Sequence, residues 1–150
     1  MTTRAQIDRF LSLKRLGLAG ASRSGKKFGN AILKELHGRG YDIRPLHLEA
    51  DELQGLRCYR TPADLPDDTE GLILVVPPAQ TERLVRQAAE RGIRNIWMQQ
   101  GAESHDAIEF CQQNGMAEVH GECILMFAEP VAWFHRMHRG LWRWLGKLPK

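Results

Sequence analysis

The sequence predicts an α/β protein with a Rossmann-like, three-layer fold and an open, mostly parallel sheet. Three observations carry this. Short aliphatic runs alternate with segments of helical period along the chain. Leu72-Ile73-Leu74-Val75-Val76 is apolar at every position, as a parallel strand covered on both faces must be. The first aliphatic run ends in a loop rich in Ser, Gly and Lys that leads into a helix-like segment.

The elements follow in order. Ile7, Phe10, Leu11 and Leu13 have roughly helical spacing and predict an amphipathic first helix. Residues 16–20 (LGLAG) read as a buried strand ending in glycine. Residues 29–38 put Ile32, Leu33 and Leu36 on one helical face, and Gly38 and Gly40 stop it. Residues 41–46 form the second strand. Residues 49–70 are polar and acidic, contain Pro62 and Pro66, and predict turns with a short helix. The strand 72–76 ends at Pro77-Pro78. Residues 79–91 form a helix with Leu84, Val85, Ala88 and Ala89 inward. Residues 95–98 are a strand, 104–114 a helix with Ala107, Ile108 and Cys111 inward, and 117–119 a last strand.

A chain of 150 residues is one domain by length and can bury about 70% of its unfolded surface. Its net charge of +3 excludes a strongly basic nucleic-acid arm and an acidic disordered tail. That average conceals a pattern. Residues 1–48 hold ten basic and three acidic residues; residues 49–130 hold six and fifteen; residues 131–150 hold five and none. Cys58, Cys111 and Cys123 are odd in number and form no CxxC, which suits a reducing, cytoplasmic setting. There is no signal-like leader and no apolar run of membrane-spanning length.

In such sheets ligands bind beyond the carboxyl ends of the strands. The loop after the first strand, Gly20-Ala21-Ser22-Arg23-Ser24-Gly25-Lys26-Lys27, nearly fits two phosphate-binding patterns. Against GxxxxGK[ST], Gly20, Gly25 and Lys26 are in register, but Lys27 replaces the metal-binding hydroxyl, and Val76-Pro77-Pro78 stands where a metal-side aspartate is needed. NTP hydrolysis is therefore not expected. Against GxGxxG, Ser22 replaces the middle glycine, and Arg44, His47 and Glu49 lie where one ribose acid is expected. What both patterns leave is a loop of backbone N–H groups at a helix N-terminus with Arg23, Lys26 and Lys27 around it, which is an anion site.

Four motifs then occur in order at strand ends: Gly20-Ala21-Ser22-Arg23, Val76-Pro77-Pro78, the run from Trp97 to Ala102 (WMQQGA), and Gly121-Glu122-Cys123. Together, over roughly residues 5–128, they resemble the CoA-binding domain family, which includes the N-terminal domain of the succinyl-CoA synthetase α subunit. The resemblance implies that Gly20, Ala21, Ser22 and Arg23 line the CoA pyrophosphate, with Lys26 and Phe28 in the same loop. It implies that Val76, Pro77 and Pro78 flank the adenine or pantetheine, and that Gln100 and Gly101 close the next strand end. The CoA 3′-phosphate would give His47, Arg44 or Lys27 a role. Many relatives carry Asn-Pro after the second strand, where this chain has Leu46-His47-Leu48. The synthetase reaction uses a phosphohistidine from a second domain, so the resemblance implies no catalytic residue in this chain.

The expected function is thus binding of CoA or acyl-CoA, without catalysis and without nucleic acid. The alternatives are an NAD(P)-binding oxidoreductase-like protein and an interaction protein with a vestigial nucleotide site. Cys123, next to the expected cleft, reads first as a small buried residue and second as a partner for thiol or thioester exchange. Cys58 and Cys111 read as structural. His135 and His138, three apart, lack a third metal ligand. The domain is expected to span 1–130. Residues 131–150 carry Trp133, Trp142 and Trp144 on a basic helical pattern. That segment is expected to pack on the domain or form a homodimer interface, in preference to a membrane surface.

Overall fold

The computed structural model describes residues 2–128. The segment 131–150, with its expected packing or dimer role and with His135 and His138, lies outside the described residues.

Helix α1 (Arg4–Leu11) opens with a capping box, in which Thr3 accepts from the Gln6 N–H and the Gln6 side chain accepts from the Thr3 N–H. Ile7 and Phe10 are its buried residues; Leu13 falls beyond its end. Strand β1 (Arg15–Ala19) leads through the glycine-rich loop into α2 (Phe28–Gly38), and β2 (Asp42–Leu46) follows. The acidic stretch then forms a hairpin, β3 (Glu52–Leu53) and β4 (Leu56–Arg57), and a 3-10 turn at Pro62–Asp64. Strand β5 (Gly71–Leu74), helix α3 (Pro78–Arg91), strand β6 (Asn95–Gln99), helix α4 (His105–Gln113) and strand β7 (Ala117–Glu122) complete the alternation.

The main sheet has five strands in the order β2-β1-β5-β6-β7, all pairs parallel. The expected α/β three-layer architecture is therefore the observed one. Alternation along each strand divides the core in two. Leu16, Leu18, Ile73 and Trp97 face α1 and α2. Leu72, Leu74, Ile96 and Met98 face α3 and α4. The Phe10 and Trp97 rings meet at 5.5 Å and 58°, a tilted pair worth about 1 kcal/mol beyond area burial.

Two boundaries differ from expectation for physical reasons. Strand β5 stops at Leu74, because Val75 and Val76 already carry the chain to Pro77, and Pro78 starts α3 where a missing N–H costs nothing. Strand β7 runs on to Glu122, since a register shift opposite Met98 and Gln99 and Gly121 at φ +76° carry it past its polar residues. Leu84 and Ala89 of α3, expected inward, are half-buried beside buried Val85 and Ala88.

Candidate functional site

The strand order reverses between β1 and β5, so the loops after these two strands diverge and leave a crevice at their carboxyl ends. Close backbone packing builds its floor. Gly20 has φ +121°, and a Cβ there would lie 2.1 Å from the Val75 carbonyl oxygen. A Cβ on Gly29 would lie 2.4 Å from the Gly20 carbonyl oxygen. Glycine at both positions lets the N-terminus of α2 sit directly on the loop that follows β1.

A single side chain fixes that loop. Asn30, 2% exposed, accepts from the Ser22 N–H at 2.9 Å through Oδ1 and donates Nδ2 to the Ser22 carbonyl at 2.9 Å. The Ser22 hydroxyl lies 2.8 Å from that of Ser24, which in turn accepts from the Lys26 N–H at 3.3 Å. The Gly25 N–H closes the turn on the Ser22 carbonyl. No side chain caps α2 and no acidic residue lies in its first turn, so its first N–H groups and dipole leave a positive end at the loop. Among the described residues, Lys26 and Lys27 form no ion pair. Arg23 pairs with Glu49, which joins the loop after β1 to the loop after β2.

His47 follows β2. Its Nδ1 accepts from the N–H groups of Glu49 and Ala50, at 3.0 and 2.9 Å. The ring proton is therefore on Nε2. Ala19, Leu46, His47, Leu48, Val76 and Leu84 line a pocket of about 170 Å³ at the carboxyl ends of β1 and β2 and the start of α3. Phe28, 47% exposed, and Leu48, 73% exposed, are the large hydrophobic side chains left open among the described residues. Arg44, expected as one of three candidates for a phosphate, does not line this pocket. It is buried at the other end of the sheet, bonded to Asp68 at 2.5 Å, Asp42 at 3.0 Å and Thr69 at 2.8 Å. With three acceptors in place it closes the strand bases and faces away from the crevice.

At the next strand end Gly101 has φ +96° and its N–H donates to Glu103 at 2.8 Å. Gln100 is exposed, and its N–H donates to the Glu122 carbonyl. Thr81, fully buried, donates its hydroxyl to the Ala102 carbonyl at 2.6 Å and ties this loop to α3. Gln99 accepts from Trp97 Nε1 and the Ile124 N–H. The four motifs thus lie at the carboxyl ends of parallel strands, on one side of the sheet.

The sequence alone does not mark Asn30 or Thr81 as site residues. An asparagine inside an amphipathic helix has the signature of a solvent-facing residue; only its place at the third position of α2, next to a Ser-rich turn, hints at its use.

Cys123 and Cys111 are buried and unpaired. Burial pushes the Cys111 thiol up to about 12. It also raises Cys123, against the opposing pull of the Gln99 amide and the N–H groups of Leu125 and Met126. Both remain thiols at neutral pH. Glu122 is 8% exposed, and its Oε2 has no hydrogen-bond partner. Burial holds its carboxyl above the usual carboxylate range, while His120 pulls the other way. A carboxyl raised on folding binds more protons in the native state, so stability falls as pH rises from its unfolded pKa through its folded one. Glu122→Gln is expected to raise the thermal midpoint at neutral pH and to lose that gain near about pH 4, where both forms are neutral. Paired melts at the two pH values check this.

The fold is that of the open, parallel α/β class, with a crevice at its switch point. A model of the CoA binding domain matches residues 14–129, and the chain belongs to that family. It is 37% identical to a conserved hypothetical protein from Pyrococcus furiosus (TM-score 0.72), covering 75% of this chain and 97% of that one. It is 30% identical to a hypothetical protein from Pyrococcus horikoshii (TM-score 0.77), covering 82% and 87%. Among curated relatives, an ADP-forming acetate–CoA ligase from Methanocaldococcus jannaschii is 30% identical over 81 residues, which is 54% of this chain. The alpha subunit of a Pyrococcus furiosus ADP-forming acetate–CoA ligase is 22% identical over 129 residues, 79% of this chain. The chain spans 12% and 28% of the length of these two relatives. No helix among the described residues is long and apolar enough to cross a membrane.

Proposed function

We propose that the chain binds CoA or acyl-CoA in the crevice between the loops after β1 and β5, and performs no reaction on it. The observation that carries this reading is the loop pinned by Asn30. It sets an uncapped helix N-terminus and the cations Arg23, Lys26 and Lys27 at the switch point of a chain in the CoA binding domain family. Gly20, Ala21, Ser22 and Arg23 take the pyrophosphate. Arg23 exchanges Glu49 for it, a cheap step for an exposed pair. Phe28 and the Val76-Pro77-Pro78 wall offer apolar surface to the base or the pantetheine arm. Gln100 and the open backbone of Gly101 border the far end. Three unpaired cysteines suit a reducing, cytoplasmic setting.

Mass analysis of the nucleotide that co-purifies with the protein tests the ligand, with CoA or an acyl-CoA expected. Ser22→Tyr tests the site. A ring placed over the loop is expected to abolish CoA binding while the thermal midpoint stays near that of the wild type. Unchanged affinity would move the pyrophosphate elsewhere.

A further inference from the structure

The pocket between β2 and α3 is lined by two arginines. Arg83, in the second turn of α3, lines it. Arg83 is exposed and has no hydrogen bond or ion pair among the described residues. The other arginine of the pocket, Arg60, is already engaged: it donates to the carbonyls of His47 and Ala50 and pairs with Asp51. His47 lines the same pocket, and its Nδ1 is filled by two backbone N–H groups, so Nε2–H is its free donor. No Asp or Glu of the described residues lines the pocket. Glu49 and Glu82, the carboxylates that adjoin pocket residues in sequence, are not among its lining side chains.

These facts specify a ligand end. A bare ribose diol at this position of a doubly wound sheet is held by a carboxylate acceptor. Here the acceptor is missing, and a free guanidinium and an imidazole N–H are present instead. Two donors beside an apolar wall of Leu46, Val76 and Leu84 match a base whose ribose carries a phosphomonoester. We infer that Arg83, assisted by His47, is the residue that reads the ribose phosphate of the bound nucleotide, so that the pocket selects a 3′-phosphorylated adenosine end over its dephosphorylated form. The inference rests on the CoA reading and adds a selectivity to it.

Calorimetry of the full chain with CoA and with dephospho-CoA, for the wild type and for Arg83→Ala and Arg83→Lys, tests it. The wild type is expected to bind CoA at least about tenfold more tightly than dephospho-CoA, as a charge-assisted contact allows. Arg83→Ala should erase that ratio by weakening CoA alone, with dephospho-CoA held within about twofold. Arg83→Lys should restore part of it, since it keeps the charge and loses the fork. Equal weakening of both ligands by Arg83→Ala, or a wild type that does not distinguish them, overturns the role of Arg83 and leaves CoA binding standing. A wild type that binds neither overturns both. Tight NADP binding that Arg83→Ala weakens assigns the pocket to a 2′-phosphate and also overturns it. Arg83 makes no contact whose loss would unfold the protein, so equal thermal midpoints accompany a valid comparison.

Discussion

Gly29→Ala is expected to destabilise the protein by about 3 kcal/mol or more and to lower its thermal midpoint by roughly 10 °C. The added methyl would sit 2.4 Å from the Gly20 carbonyl oxygen, 2.5 Å from its carbon and 2.9 Å from the Ala21 nitrogen. All three are backbone atoms, so no rotamer change relieves the overlap. Gly20 cannot retreat, because its own Cα is packed against the Val75 carbonyl. Relief requires α2 to tilt away from β1. That movement strips apolar contact from Ile32, Leu33 and Leu36 and opens the phosphate loop. The loss of stability and the loss of CoA binding are therefore coupled in this variant. Thermal melts and calorimetry on the same preparation measure both. A variant that melts with the wild type would show that the helix does not rest on the loop.

Asn30→Ala is expected to cost about 2 kcal/mol, through the hydrogen bonds lost to Ser22 and an unpaired Ser22 N–H. Its effect on binding should exceed its effect on folding, because the unpinned loop must be ordered again by the ligand. Asn30→Asp separates the two. The carboxylate still accepts from the Ser22 N–H but no longer donates to the Ser22 carbonyl, and it sets a negative charge beneath the loop. Stability should fall less than in the alanine variant, while CoA affinity should fall by tenfold or more. Full CoA affinity in Asn30→Ala would mean that Asn30 serves folding only.

The contrast between Gly20 and Asn30 shows how far the sequence alone reaches. Gly20 was legible because a glycine ending an aliphatic run marks where a chain must turn sharply. The continuous apolar strands were legible because a doubly covered sheet leaves no polar alternation. Asn30 was not legible, since its partner Ser22 is brought to it only by the turn at Gly25. Arg44 was misplaced among the phosphate candidates for a related reason. Sequence position put it near a strand end, whereas the partners that set its direction, Asp68 and Thr69, are more than twenty residues away. The hairpin β3–β4 was missed because its turn is Gln54-Gly55. Both residues have positive φ, 52° and 80°, a geometry normally signalled by Asn-Gly or Asp-Gly. Thr81 was hidden in the same way as Asn30: its acceptor, the Ala102 carbonyl, belongs to another loop of the crevice.

Calorimetric titration of the full chain with CoA, NAD and NADP under one set of salt and pH conditions tests the central claim most directly. The expected result is saturable binding of CoA at one site per chain and no saturable binding of NAD or NADP. Tight binding of NAD or NADP with none of CoA would contradict it.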